Sequence, residues 1–98
     1  MFVAACRVTL HIEASQSLKD KRQVVKSLLQ RLRNQFEVAA AEVGSQELRQ
    51  LATLGLAYVS GDASHAEEVL ERAVRYIEES RPDVEVSGAQ VEVMALEE

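Results

Sequence analysis

The 98-residue sequence predicts an α+β fold: a ferredoxin-like sandwich, in which two helices cover one face of a four-stranded antiparallel sheet. Segments with an apolar residue at every second position alternate with segments of helical spacing, in the order βαββαβ. Two strand–helix–strand units with right-handed crossovers produce this sheet. The length fits a single domain spanning residues 1–98. The second face of the sheet is left either solvated or covered by a partner.

The first predicted strand covers residues 2–13, where apolar and polar positions alternate. Its apolar positions are Phe2, Ala4, Cys6, Val8, Leu10 and Ile12. A period of two with one polar face is typical of a half-buried strand. The polar face, which includes Arg7 and His11, is therefore directed toward solvent or a partner.

The first predicted helix covers residues 18–34 and begins after Ser17, a favourable N-cap residue. Asp20 stands at the third helical position, which is a weaker form of the capping box. One apolar stripe is formed by Leu18, Val25, Leu29, Leu32 and Phe36, with Val24 and Leu28 at its edge. The helix is therefore amphipathic and packs on the sheet.

Residues 36–43 are predicted as the second strand, because the apolar stripe of the helix stops at Phe36 and Gly44 closes the segment. Period alone also allows the helix to continue through the alanines. A connector over 45–51, with a possible helical turn, then leads to a strand over 53–60. That strand contains no charged residue, which is typical of a well-buried strand.

The second predicted helix covers residues 65–80, with Ser64 as N-cap and Glu67 completing a capping box. Pro82 ends it. The last strand covers residues 84–96. Its valines switch from even to odd positions around Ser87-Gly88, which predicts a β-bulge at that point.

Charge is distributed unevenly along the chain. Residues 1–35 carry seven Lys or Arg and two acids, a balance of +5, whereas residues 36–98 carry four Arg and fourteen acids, a balance of −10. Such asymmetry can mark a basic surface that meets an acidic partner. Alternatively, the first helix lies against acidic neighbours and the charges cancel locally.

The cations of the first helix form the candidate binding surface. At 100° per residue, Lys19, Arg22, Lys26 and Arg33 fall within about 60° of arc. A ridge of four cations can follow a phosphate backbone. The candidate nucleic-acid contacts are these four residues and Lys21, with Arg7 and His11 as additions from the sheet face. The alternative is a solvated face whose long side chains cover the edge of the core.

No group of residues predicts catalysis, a metal or a cofactor. Cys6 lies on the apolar face of the first strand and is expected to be a buried thiol. His11 and His65 are too far apart in sequence to suggest a metal site. There is no glycine-rich phosphate loop and no nucleophile elbow. We therefore expect a non-enzymatic protein.

The expected location is the cytoplasm. The single cysteine allows no internal disulfide, as is usual for cytoplasmic proteins. No apolar run is long enough to span a membrane, and no basic stretch precedes the apolar N-terminal residues as in a signal peptide.

The sequence resembles a small bacterial family, the domain of unknown function 503, also called YlxP-like. The resemblance spans nearly the whole chain, and Ser17-Leu18-Lys19 with Lys21-Arg22 is its most specific part. Further matching residues are Cys6-Arg7-Val8, Leu28-Leu29, Leu32-Arg33-Asn34, Ala41-Glu42-Val43, Val59-Ser60 and His65-Ala66. The sequence departs from the family pattern in the connector, at Gly44-Ser45 and at Arg49.

The resemblance implies a ferredoxin-like fold and no established activity. Family genes are often found near those of translation factors and of a ribosome-binding factor, which implies a role around the ribosome or RNA. Three hypotheses follow. The chain is an RNA- or ribosome-associated module, a protein-interaction or self-assembly module, or a protein that binds a small molecule on the open sheet through Arg7, His11 and Glu13.

Overall fold

The computed structural model describes residues 1–97 and contains the six predicted elements in the predicted order. They are β1 (Phe2–His11), α1 (Leu18–Phe36), β2 (Ala39–Gly44), β3 (Leu51–Ser60), α2 (Ala63–Ser80) and β4 (Glu85–Ala95). The four strands form one antiparallel sheet in the order β2-β3-β1-β4. Both helices pack on the same face, so the predicted α+β ferredoxin-like fold is confirmed.

The core lies between the helices and the inner face of the sheet. The even-numbered residues of β1 from Ala4 to Leu10 are all buried there, and the alternation predicted for this strand is therefore correct. The helices contribute Val25, Leu28, Leu29 and Leu32 from α1 and Ala66, Val69, Leu70, Ala73, Val74 and Ile77 from α2. Burial of these apolar side chains is the main term that stabilises the fold.

Helix α1 begins as predicted and ends slightly later. The Ser17 hydroxyl accepts a hydrogen bond from the Asp20 N–H at 3.0 Å, and the Asp20 carboxylate accepts one from the Gln16 N–H at 3.3 Å. The helix continues to Phe36 and stops at Glu37, whose backbone is left-handed with φ of 57°. The second strand therefore begins at Ala39 rather than at residue 36.

Helix α2 begins before the predicted position, because Asp62 and not Ser64 is its N-cap. Asp62 has an extended backbone, and its carboxylate accepts a hydrogen bond from the His65 N–H at 3.0 Å. Ser64 instead lies within the first helical turn. Both residue types are good N-caps. The capping box favoured the later residue, whereas the chain leaves β3 at Ser60 and turns early enough for Asp62 to cap.

Replacement of the N-cap residue distinguishes these two positions. We expect Asp62→Ala to lower the free energy of unfolding by about 1 kcal/mol, because it removes the hydrogen bond to the His65 N–H. Ser64→Ala is expected to change it by less than about 0.5 kcal/mol. Urea denaturation followed by circular dichroism measures both values. Equal losses in the two variants would contradict the assignment of Asp62 as the cap.

Two β-bulges shape the outer strands. In β4, Thr9 pairs with Gly88 and Leu10 with Val86, so Ser87 is the extra residue and the predicted bulge is confirmed. In β2, Glu42 pairs with Leu54 and Gly44 with Thr53, so Val43 is the extra residue. Val43 lies on the face of the sheet that carries no helix, as Ala39 and Ala41 do, and its side chain lies over Gly55.

Candidate nucleic-acid interface

The basic ridge, defined as Lys19, Arg22, Lys26 and Arg33, lies on the solvent side of α1. All four residues are exposed. A rise of 1.5 Å per residue gives the ridge a length of about 21 Å. Asp20, the only acid in the helix, lies at its N-terminus, where the carboxylate accepts a hydrogen bond from the Gln16 N–H. The ridge is therefore a line of positive charge on a rigid element.

The cations of the ridge have no carboxylate partner among residues 1–97. The ion pairs within that part of the chain are Lys21–Glu42, Arg72–Glu68 and Arg81–Asp83. Because exposed cations keep their water shell, they can exchange it for an acidic ligand at low desolvation cost. The structure thus brings together the cations that the helical spacing predicted on one side of α1.

Arg33 differs from the other members of the ridge. Its guanidinium donates a hydrogen bond to the backbone carbonyl oxygen of Ala40 at 2.5 Å. Ala40 belongs to β2, which is an edge strand of the sheet. This contact ties the C-terminal part of α1 to that edge and shows that the ridge lies on the β2 side of the helix. Arg33 therefore has a structural role, and Lys19, Arg22 and Lys26 are the members of the ridge that have no contact of this kind among residues 1–97.

Lys21 is completely buried, with none of its side chain exposed. Its ammonium donates hydrogen bonds to the carbonyl oxygens of Ser45 at 2.8 Å, Gln46 at 3.1 Å and Leu51 at 3.2 Å. These residues lie at both ends of the connector between β2 and β3. Lys21 is therefore excluded from the set of phosphate contacts that its sequence neighbours suggest, and instead it holds the connector against α1.

A carboxylate completes the environment of Lys21. Glu42 Oε2 lies 3.1 Å from Nζ and has no hydrogen-bond donor of its own. An ammonium has three N–H groups, and the three carbonyl oxygens and the carboxylate all lie within reach of them. The carboxylate balances the charge of the buried cation.

The burial of Lys21 had a signal in the sequence. Lys21 precedes Val25, Leu28 and Leu32 by four, seven and eleven positions, which is the spacing of one helix face. Its position on the apolar stripe was therefore readable. The proximity in sequence of Lys19 and Arg22 obscured it, and no local pattern reveals the carbonyl oxygens of a connector about 25 residues away.

Arg7 and His11 lie on the opposite side of the sheet from the ridge. Arg7 is exposed and donates a hydrogen bond from Nη2 to Gln90 Oε1 at 3.0 Å. His11 lines a shallow depression beside Glu13, Asp83 and Glu85. The sheet therefore separates these two residues from α1 and places them on a different surface from the ridge.

The depression beside His11 has an unfavourable charge for an anion. Arg81 donates two hydrogen bonds to the Asp83 carboxylate, at 3.1 and 2.9 Å. These contacts lower the pKa of Asp83 below its ordinary value of 3.8. Asp83 is therefore ionised at neutral pH, and Glu13 and Glu85 add two further acidic side chains around His11. A phosphate at His11 would face these three acidic residues.

Cys6 is buried on the inner face of β1, as expected. Burial raises the pKa of its thiol above the ordinary value of 9.0. A raised thiol pKa lowers the fraction of reactive thiolate at neutral pH. Cys6 therefore behaves as a small core side chain.

Residues 1–97 contain neither a metal-binding group of side chains nor a membrane-spanning helix. No three His, Cys, Asp or Glu side chains within that range are grouped so that they hold a metal ion. Neither of the helices described there is both long and apolar enough to cross a membrane.

The comparisons with known proteins agree with each other. The family described as "Protein of unknown function (DUF503)" matches residues 3–91. The curated "Uncharacterized protein YlxP" of Bacillus subtilis (strain 168) is 39% identical to this chain over 69 residues. That alignment covers 70% of this chain and 74% of the Bacillus protein.

Proposed function

The chain belongs to the DUF503 family of uncharacterised proteins, and we propose that it is a non-enzymatic module that binds structured RNA, free or in the ribosome, through the basic ridge of α1. The observation that carries this proposal is the set of three exposed cations without a described structural role, Lys19, Arg22 and Lys26, on one flank of a rigid helix. The proposed location is the cytoplasm.

The charge of the rest of the molecule strengthens the proposal. The second helix exposes Glu67, Glu68, Glu71, Glu78 and Glu79. Of these five glutamates, only Glu68 is within ion-pair distance of a cation in the part of the chain described, at 4.0 Å from Arg72 Nε. The protein therefore has one basic and one acidic helix on the same layer. Such a field turns an approaching polyanion toward α1 and away from α2.

The contacts available on the ridge suit the phosphate backbone rather than the bases. Lysine and arginine side chains on a helix supply charge and hydrogen bonds to phosphate oxygens without reading a sequence. Base recognition in single-stranded RNA usually adds stacked aromatic rings. Phe36, Tyr58 and Tyr76 instead pack against the core, and Phe36 meets Tyr76 edge to face. We therefore propose recognition of the shape and charge of a folded RNA.

The salt dependence of RNA binding tests the proposal. We compare the wild-type protein with the triple variant Lys19→Gln, Arg22→Gln, Lys26→Gln, using a labelled RNA hairpin and fluorescence anisotropy. Three phosphate contacts predict a slope of log K against log salt between about −2 and −3. The triple variant is expected to lose most of that slope together with its affinity.

A matched control removes the same charge elsewhere. The variant Arg31→Gln, Arg49→Gln, Arg75→Gln also neutralises three exposed cations that have no described ion pair. It is expected to bind with nearly the wild-type slope. Equal losses in both variants would show that net charge and not the ridge governs binding, and this would contradict the proposal. Absence of binding to the hairpin and to purified ribosomal subunits at low salt would also overturn it.

A further inference from the structure

The face of the sheet that carries no helix, called the open face below, is exposed to solvent and yet carries many apolar residues. It consists of the residues that point away from α1 and α2 in all four strands. The apolar members include Val3, Ala5, Ala39, Ala41, Val43, Leu51, Gly55, Ala57, Val59 and Met94, and the polar members include Arg7, Thr9, Thr53, Gln90 and Glu92. An apolar patch of this extent on a soluble protein usually marks an interaction surface.

The open face has a relief of its own. Ala5, Gly55 and Ala57 leave a shallow groove of about 620 Å³ that also reaches β2. Val43 and Val59 rise beside it and are each 58% exposed. Val43 Cγ1 would lie only 3.0 Å from a Cβ atom at position 55, so a glycine there allows the valine to lie over the strand. The surface thus carries both a hollow and the bulky side chains to fill one.

We propose that a second copy of this chain packs on the open face, so that two sheets meet face to face in a symmetric dimer. A two-fold interface brings one patch against itself and therefore requires self-complementarity. The projecting valines of one copy match the groove of small residues in the other. The charges match as well, because the open face carries both Arg7 and Glu92, on the neighbouring strands β1 and β4.

The size of the open face fits this partner. Four strands about 4.8 Å apart, with ten residues in each of the central two, give a face of about 19 by 33 Å. The projected area is therefore roughly 600 Å², and the relief of the side chains increases the accessible area beyond it. A stable interface of standard size buries about 800 Å² on each partner.

This dimer is independent of RNA binding and leaves the basic ridge free. Both helices lie on the far side of the sheet from the open face, so the dimer has the helices of its two copies on opposite outer surfaces. The two ridges then point away from each other. The dimer buries Arg7 in the interface. Arg7 thereby has a role that is separate from that of the basic ridge.

Sedimentation velocity over a dilution series from micromolar to several hundred micromolar tests the dimer. We expect the wild-type protein to sediment at twice the monomer mass at the upper concentrations. Ala57→Arg places a long cation in the centre of the open face and is expected to yield a monomer throughout. Val59→Lys is a second variant, and its position is exposed enough that the fold of the monomer is unaffected. Gln30→Arg adds the same charge on the exposed side of α1 and should remain dimeric.

Each result has one meaning. A wild-type protein that is monomeric at every concentration overturns the proposal. A dimer that survives in both Ala57→Arg and Val59→Lys also overturns it, because another surface, such as the edge of β4, then joins the copies. Dissociation in the two open-face variants, with the melting curve of Val59→Lys unchanged and the dimer of Gln30→Arg intact, supports it.

Discussion

Replacement of Lys21 by methionine is expected to lower the free energy of unfolding by about 3 to 5 kcal/mol. The substitution keeps most of the apolar side chain but removes a buried cation. The carbonyl oxygens of Ser45, Gln46 and Leu51 then lose their donor, and Glu42 keeps a negative charge beside an apolar group. A buried charge without its partner costs more than the pair contributes when intact.

Urea denaturation of the variant measures this loss, and hydrogen exchange locates it. We expect the fastest gain in exchange across residues 45–51, since Lys21 holds both ends of that connector. Lys19→Met, two positions earlier on the exposed side, is the control and should change stability by less than about 0.5 kcal/mol. If Lys21→Met were as stable as Lys19→Met, the buried contacts would have no net effect.

A double variant separates the charge from the hydrogen bonds. Lys21→Met with Glu42→Gln removes both charges and leaves only the three carbonyl oxygens without a donor. We expect this variant to be more stable than Lys21→Met alone, because an uncompensated carboxylate is more costly to bury than an amide. It should still be less stable than the wild type.

Leu54→Ala is expected to cost about 2 to 5 kcal/mol, the range for truncation of a fully buried leucine. Leu54 has no exposed area and lies on the inner face of β3. It stands between Val8 on β1 and Glu42 on β2, so the cavity opens in the middle of the sheet beneath the helices. The loss of unfolding free energy lies toward the upper end of this range if the neighbouring side chains cannot move into the space.

Thermal and urea unfolding measure the effect of this truncation. Val59→Ala is the matched control: it shortens another apolar side chain of β3, but one that is 58% exposed on the open face. We expect a loss below about 0.5 kcal/mol at that position for the monomer. Similar losses at both positions would mean that the inner face is not the main core of the sheet.

The fold could be predicted because its signals are local and repeated. The alternation in β1 and the helical spacing of α2 each depend on the few residues within the element. The bulge at Ser87 was also visible, because the valines of β4 change parity there. The boundary between α1 and β2 could not be predicted to within one residue. The helix ends at Glu37, whose backbone is left-handed, and no glycine marks the position.

The candidate site could be predicted only in part. Helical geometry alone places Lys19, Arg22 and Lys26 on one flank of α1, and they are exposed there. The roles of Lys21 and Arg33 depend on backbone carbonyl oxygens in the connector and in β2. Every residue has a carbonyl group, so no residue type signals such a partner in the sequence. The position of Arg7 behind the sheet follows from strand parity together with the placement of both helices on the other face.

The bulge at Ser87 also determines where the length of the chain can change. Val86 points toward the helices and Gly88 toward the open face, with Ser87 between them as the extra residue. Loss of Ser87 leaves a regular strand in which every side chain keeps its side of the sheet. Loss of one residue elsewhere in β4 reverses the facing of all residues on one side of the gap. Natural variation in the length of this strand is therefore expected at a single position.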